Sequence, residues 1–300
     1  MADVKLDDFQ SLFSLKGKIA VVTGGSRGLG LHAASAAAEG SWAIYRFLQA
    51  GASTVFISSR KAAACESACA ALNALPNLQP GARAIPVPAD SSRPEGVKAL
   101  VAAVRQHTDC VDVLMANAGA TWGESLDTHP DEAFDKVMNL NVRGVFDTIR
   151  DFVPLLEEAA RRRGGGETSR VIITGSVAGL GIGTIGKQGT WGYTASKAAV
   201  VHLGRNLAVE LGPRRIAVNS ICPGFFPSKM TNGLLELSGG VDKIAAANPL
   251  GRLGRPEDIA GVVVYLASRA GAHVNGEAIA IDGGALWSRG EMVRGGDAKL

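Results

Sequence analysis

Ile19-Ala20-Val21-Val22-Thr23-Gly24-Gly25-Ser26-Arg27-Gly28-Leu29-Gly30 is the stretch on which the reading of the whole chain turns. Ile19–Thr23 reads as a short buried strand that runs straight into glycines. Glycine lets a backbone approach a pyrophosphate closely, and a helix that follows presents its free N–H groups and positive end to the same phosphates. The pattern T-G-x-x-x-G-x-G gains meaning from standing between a predicted strand and a predicted helix. Gly24, Ser26, Arg27, Gly28, Leu29 and Gly30 are the candidate dinucleotide contacts, an ordinary glycine turn being the competing reading. The segment from Gly30 to Gly51 is about ten residues longer than one covering helix needs. Gly40-Ser41 breaks its pattern, so an insertion near 31–41 is expected, or else a longer helix kinked at Gly40.

Outward from this turn, apolar runs alternate with Ala-rich stretches. Thr54–Ser58, Ala84–Pro88, Val111–Ala116, Val171–Thr174, Ile216–Ile221 and Ala278–Ile281 join Ile19–Thr23 as predicted strands. Ala62–Leu75, Pro94–His107, Asp131–Glu158, Tyr193–Leu211 and Pro256–Ser268 are long enough for helices between them. Apolar strands alternating with helices imply an α/β fold, a parallel seven-stranded sheet with helices on both faces, doubly wound by right-handed crossovers as in a Rossmann domain. One domain is expected over 15–287, with an N-terminal extension at 1–14 and a flexible tail at 288–300.

Composition excludes several classes. In 300 residues, 46% are hydrophobic and 20% charged, which argues against disorder. The formal charge of +3 is too balanced for a nucleic-acid footprint. No apolar run is long enough for a membrane span, and Met1–Gln10, with Asp3, Asp7 and Asp8, is not a secretory leader. Cys65, Cys69, Cys110 and Cys222 lack a second Cys or His pair at zinc spacing, so no metal is expected and an intracellular, reduced setting is. Arg161-Arg162-Arg163 before three glycines reads as a solvated helix end.

Tyr193 and Lys197 are four apart in Y-T-A-S-K and face one way on a helix. An ammonium beside a phenol stabilises phenolate, so such a Tyr can exchange a proton with an alcohol or carbonyl oxygen. A surface pair is the plain alternative. Upstream, Ile172-Ile173-Thr174-Gly175-Ser176 ends a strand on a hydroxyl, at the end of a sheet where such folds hold ligands.

Together these motifs resemble the short-chain dehydrogenase/reductase family, in its branch of about 250 residues, over Leu15 to Leu286. TGGSRGLG is similar to its cofactor turn. Ala116-Asn117-Ala118-Gly119 resembles N-N-A-G, with Ala116 for the first Asn. Asn141, Ser176, Tyr193 and Lys197 match its catalytic set, Pro223-Gly224 with Ser228 its nicotinamide segment, and Asp282-Gly283-Gly284 its C-terminal signature. GATWGESL (119–126), GSVAGL (175–180) and CPGFFPSKMT (222–231) resemble 3-oxoacyl reductases of the rhamnolipid-pathway type. The resemblance implies that Tyr193 is the general acid, that Ser176 polarises the carbonyl, that Lys197 binds the nicotinamide ribose and lowers the Tyr193 pKa, and that Asn141 holds a water in the proton relay. Asp90 matches an adenine contact, a turn-forming Asp being the alternative. Ser176 and Tyr193 stand 17 apart, more than is usual. Trp122, Trp191, Phe225 and Phe226 are candidates for an apolar pocket or for ordinary core.

Strand two ends Ile57-Ser58-Ser59-Arg60-Lys61 without an acid for a ribose 2′-hydroxyl. Ser59, Arg60 and Arg27 are placed for a 2′-phosphate, so NADPH is expected over NADH. The implied activity is NADP(H)-dependent reduction of a ketone, a 3-oxoacyl thioester or polyketide-like, to a secondary alcohol. A sugar or polyol dehydrogenase and a non-catalytic dinucleotide-binding protein are the alternatives. The partner is a small carbonyl or alcohol substrate, with neither nucleic acid nor membrane. The family resemblance implies a homodimer or homotetramer through the helices of 131–158 and 193–211. The chain ends Ala298-Lys299-Leu300, similar to a peroxisomal address, so the location is cytoplasmic or peroxisomal.

Overall fold

The computed structural model describes residues 9–26, 47–76, 78–227 and 240–288. The N-terminal residues 1–8, the glycine-turn residues Arg27, Gly28, Leu29 and Gly30, the insertion expected near 31–41, Ser228 and residues 289–300 lie outside them.

Seven strands form one sheet: β1 Ile19–Thr23, β2 Thr54–Ser58, β3 Arg83–Pro86, β4 Val113–Ala116, β5 Ser169–Thr174, β6 Ile216–Pro223 and β7 Ala278–Ile281. Their order is β3-β2-β1-β4-β5-β6-β7, and every neighbouring pair is parallel. The chain winds outward from β1 to β3, returns to β4, and winds outward again, so the order reverses between β1 and β4. A ligand crevice opens at the carboxyl ends of the strands at such a reversal.

Helices α1 Ala62–Asn73, α2 Pro94–Arg105, α3 Asp131–Met138, α4 Gly144–Arg163, α5 Trp191–Leu211, α6 Val241–Ala246 and α7 Pro256–Ala267 cover the sheet. Side chains alternate across each strand. Ala20 and Val22, Val55 and Ile57, and Val113 and Met115 meet Phe47, Leu48, α1 and α7 on one face. Val21, Phe56 and Leu114 meet α2, α4 and α5 on the other. A strand buried on both faces is mostly apolar, and all eight residues of β6 are buried, Asn219 and Ser220 among them.

Three sequence expectations are corrected. The helix expected over Asp131–Glu158 is two helices joined by a π turn, Asn139–Arg143. The α6 helix was not foreseen, being only six residues long. Arg163 is more than a solvated helix end: its Nε donates to Asp112 Oδ1 at 2.8 Å and its Nη2 to the Gly17 carbonyl at 2.7 Å, tying the end of α4 to the loop before β1. Arg161 and Arg162 do sit at the surface, both on Glu158.

Candidate active site

At the reversal point, Asn117 laces three strand ends together. Its N–H donates to Thr23 Oγ1 at 3.1 Å, and its Nδ2 to the carbonyls of Thr23 at 3.1 Å and Gly24 at 3.3 Å. Its Oδ1 accepts from Thr174 Oγ1 at 3.1 Å. Thr23 also accepts the Ala118 N–H. Neither threonine stood out as functional in the sequence; the available signal was a hydroxyl closing each of two apolar strands. Gly24 has φ +65°, and a Cβ there would lie 2.7 Å from Ala118 Cα. Backbone stands on that side, so nothing can give way.

Gly24, Ser26, Ser59, Arg60, Asp90 and Gly119 line one cleft of about 480 Å³. The Ser26 hydroxyl donates to that of Ser59, whose Oγ lies 3.2 Å from the buried Cys65 Sγ. Arg60 is exposed at the rim. Asp90 Oδ1 accepts from the Ser92 N–H at 3.0 Å and its hydroxyl at 2.7 Å. Burial raises the Asp90 pKa, but these bonds, with Arg60 and Arg93, outweigh it and hold the carboxyl below its usual range. Asp90 thus forms a turn, and its loop packs so closely that a Cβ on Gly144 would meet the Ser91 carbonyl at 2.4 Å. Pro223 and Gly224 stand at the end of β6, away from this lining; the Gly224 N–H donates to Ile281 O at 3.0 Å.

The four remaining candidates come from three segments. Asn141 lies in the π turn, 1% exposed. Its Oδ1 accepts the Ala120 N–H at 2.8 Å; its Nδ2 donates to Ala120 O and to Ser196 Oγ, both at 2.9 Å. Ser196 in turn donates to the Tyr193 carbonyl at 2.7 Å. Ser196 is the serine of Y-T-A-S-K, and its spacing alone carries no signal of this contact. Ser176 Oγ accepts the Ala178 N–H at 3.1 Å, which fixes the hydroxyl at the end of β5. Lys197 Nζ donates to Thr174 O at 2.6 Å and stands 5.6 Å from the centre of the Tyr193 ring.

Electrostatics here differ from the sequence expectation. Burial pushes the Tyr193 phenol above its ordinary value, its hydrogen bond with Ser176 acting the other way. Lys197 is not among the groups that shift it. Burial pushes Lys197 itself down to about 8 and the neighbouring Cys222 thiol up to about 11.

The long segment between Ser176 and Tyr193 is tied to the loop after β4. The Glu124 N–H donates to Gly189 O and Trp191 Nε1 to Glu124 O, each at 3.1 Å. Trp122 is 47% exposed. Of the two readings open for Phe226, the structure gives ordinary core: it is 3% exposed and packs with the buried residues of the β1 face.

Among known proteins, the family model described as Enoyl-(Acyl carrier protein) reductase matches residues 28–285. A rhamnolipids biosynthesis 3-oxoacyl-[acyl-carrier-protein] reductase of Pseudomonas aeruginosa is 41% identical over 272 residues, covering 91% of this chain and 97% of its own. The chain belongs to the short-chain dehydrogenase/reductase family. A 3alpha-hydroxysteroid dehydrogenase of Mediterraneibacter gnavus is 33% identical, covering 90% of this chain and 98% of its own. In structure, the Pseudomonas aeruginosa RhlG/NADP active-site complex superposes with a TM-score of 0.80 at 39% identity, over 92% of this chain and 99% of that one. Among the described residues, no helix is long and apolar enough to cross a membrane.

Proposed function

We propose that this member of the family is an NADP(H)-dependent oxidoreductase that reduces a ketone, of the 3-oxoacyl thioester or polyketide-like kind, to a secondary alcohol. The observation that carries the reading is the joining of the Tyr193-bearing helix to the end of β5: the Lys197 ammonium stands 5.6 Å from the Tyr193 ring and donates to Thr174 O, two residues before Ser176. The similarity to a 3-oxoacyl reductase and to an NADP complex supports it.

The cleft's donors suit a phosphorylated dinucleotide. Ser26 and Ser59 offer hydroxyls, Arg60 a guanidinium for a 2′-phosphate, and no carboxylate closes β2 to repel it. The Asp90 carboxylate is turned onto Ser92, leaving a rim on which Arg60 sets the charge. When bound, the dinucleotide supplies the hydride. Tyr193 keeps its proton at neutral pH because burial raises its pKa, and gives it to the carbonyl oxygen as negative charge develops there. Ser176 hydrogen-bonds the same oxygen. Lys197, its ammonium held on the Thr174 carbonyl, holds the nicotinamide ribose. Asn141, bonded to Ala120 and Ser196, holds the loop after β4 against the Tyr193-bearing helix.

The test is a panel of ketones and acyl thioesters with NADPH, followed at the nicotinamide absorbance, on wild type and Tyr193→Phe. Turnover is expected with wild type and a loss of two to four orders of magnitude in the variant, roughly the contribution of a positioned acid. Near-wild-type turnover in Tyr193→Phe would refute the assignment.

We further propose one domain over 15–287 and assembly as a homodimer or homotetramer through α4 and α5. On these helices Phe146 is 39% and Val209 79% exposed, with Arg150 stacked on Phe146 at 5.7 Å. Sedimentation measures this directly. The terminal Ala298-Lys299-Leu300 remains a proposed peroxisomal address; a diffuse signal from an N-terminal fluorescent fusion in a eukaryotic host would exclude it.

A further inference from the structure

We infer that Cys65, buried behind the dinucleotide cleft, is a positioning residue for the cofactor: its thiol holds the Ser59 hydroxyl, and through it that of Ser26, in place for a phosphate on the adenosine ribose. The inference rests on the 2′-phosphate reading above and adds to it the group that sets how strongly the cleft prefers a phosphorylated dinucleotide.

Three observations carry it. First, the contacts form one chain from the glycine turn to α1. The Ser26 hydroxyl donates to Ser59 Oγ. Ser59 Oγ lies 3.2 Å from Cys65 Sγ, and the thiol donates to the Ser59 carbonyl oxygen at 3.7 Å. Second, Cys65 is placed for this contact and not for apolar packing. It is fully buried, yet the core cluster that takes Ala68, Cys69 and Leu72 from α1 does not include it. Cys69 is a built-in control, the same residue type one turn further along the same helix, in apolar surroundings. Third, the backbone around Ser59 is already tied down. The Ala89 N–H donates to the Ser59 carbonyl and the Gly25 N–H to that of Ser58, both at 3.0 Å. What is left to settle is the direction of the hydroxyl.

A thiol suits that task because sulfur is a weak donor and a weak acceptor at once. With its proton on the Ser59 carbonyl, the sulfur accepts the Ser59 O–H, and both serine protons point inward. A phosphate oxygen only accepts, so binding requires a serine proton to turn outward. As the Ser59 proton turns to the phosphate, the thiol proton turns from the carbonyl onto Ser59 Oγ. The carbonyl still has the Ala89 N–H, and Ser59 never loses its inner partner. Alanine or valine at position 65 offers neither role, and the hydroxyl must then be immobilised when the cofactor arrives. Arg60 supplies charge from the rim, whereas Cys65 supplies order from behind.

The test is calorimetric titration of Cys65→Ala, Cys65→Val, Cys65→Ser and Cys69→Ala with NADP+ and with NAD+. Ordering one side chain is worth about fivefold in affinity. The Kd for NADP+ is therefore expected to rise about fivefold in Cys65→Ala and Cys65→Val, and that for NAD+ by less than about 1.5-fold. Alanine is smaller than cysteine and valine larger, so a shift common to both comes from the lost hydrogen bonds and not from volume. Cys65→Ser, again donor and acceptor, is expected within about twofold of wild type. Cys69→Ala keeps the wild-type ratio of the two affinities. In a Ser59→Ala background Cys65→Ala changes the ratio no further, because the hydroxyl it positions is gone. In turnover, KM for NADPH rises while kcat at saturation holds. An unchanged ratio in both Cys65→Ala and Cys65→Val overturns the inference, and so does a shift in only one of them, which assigns Cys65 to packing. A serine variant as weak as alanine, or an equal shift in Cys69→Ala, overturns it too. In each of these cases a wild type that prefers NADP+ leaves the 2′-phosphate reading standing. A wild type that binds NAD+ as tightly as NADP+ takes down that reading, and this inference with it.

Discussion

Lys197 makes the enzyme's activity and its stability run in opposite directions with pH. Its ordinary pKa of 10.5 is pushed down to about 8 by burial, while Tyr193 is pushed above its ordinary 10.0. The two groups therefore titrate in separate ranges. Reduction needs the Lys197 ammonium to hold the nicotinamide ribose, so kcat/KM, which reports the free enzyme, is expected to be flat below about pH 7. It then falls about tenfold per unit above pH 8, long before Tyr193 ionises. For stability the sign is opposite. A lysine with a folded pKa below its unfolded value binds fewer protons when folded, so stability rises with pH between the two values. From pH 8 to 9 the difference averages about 0.7 proton, or about 1 kcal/mol. Lys18, pushed down to about 8 chiefly by burial, adds a similar amount. The thiols Cys69 and Cys222, raised to about 12 and about 11 by burial, begin to oppose this near pH 9. Comparing wild type with Lys197→Met removes every contribution but one. The wild type is expected to gain about 1 kcal/mol more than the variant over this interval, roughly 2 °C in Tm for a chain of this size. The assays are a pH–rate profile and thermal melts at pH 8 and 9. An activity limb near pH 8 that persists in Lys197→Met, or a wild-type profile flat to pH 10, would refute the reasoning.

Other outcomes follow from single contacts. Gly24→Ala forces a Cβ against the Ala118 backbone at positive φ, and a loss of about 2–4 kcal/mol is expected in chemical denaturation. Arg60→Ala removes the cationic partner proposed for a 2′-phosphate; KM for NADPH should rise about tenfold while that for NADH moves less than about twofold. Asn117→Ala takes the shared partner from Thr23, Gly24 and Thr174, and should cost about 2–3 kcal/mol in thermal unfolding. Arg163→Met leaves Asp112, 4% exposed, with the Ile19 N–H but no cation, and about 1–3 kcal/mol should be lost; Arg163 is itself partly exposed, which keeps the figure low.

Much of the sheet was legible because each strand is an apolar run bounded by turn residues. β1, β2 and β7 begin and end where the sequence puts them. β3 ends at Pro86, two residues early, although the Val87 and Ala89 N–H groups still donate to the Ile57 and Ser59 carbonyls beyond it. The π turn was invisible: Asn139-Leu140-Asn141-Val142-Arg143 contains neither Gly nor Pro, and its extra residue shows only in backbone hydrogen bonding. For the site, chemistry-bearing residues were legible one by one, through motif order. Their supports were not. Asn117 is matched to a cofactor motif, yet in the structure its amide is spent on strand ends. Phe226 reads as one more aromatic beside a catalytic segment until its packing against Gly254 places it in the core. The raised pKa of Tyr193 depends on how much protein covers it, which no i, i+4 spacing encodes.

The π turn has one further consequence. It is an α-helix carrying a single surplus residue, and that surplus works as a phase shifter. Upstream of it, Ala133 and Val137 of α3 are turned inward. Downstream, Gly144 must present its bare Cα to the Ser91 carbonyl. Each residue of a regular helix advances the direction of its side chain by about 100°. Deleting Leu140 would therefore do more than shorten the connection: it would rotate one helix against the other by most of a third of a turn. Ala133 and Val137 could then stay turned inward only if Asn141 gave up its hold on Ala120 and Gly144 its place against Ser91. The two contacts serve different ends of the cleft, one beside Lys197 and one beside Asp90. Length at this point in the chain is thus under tighter constraint than residue identity, and an insertion or deletion here should be tolerated far less well than most substitutions.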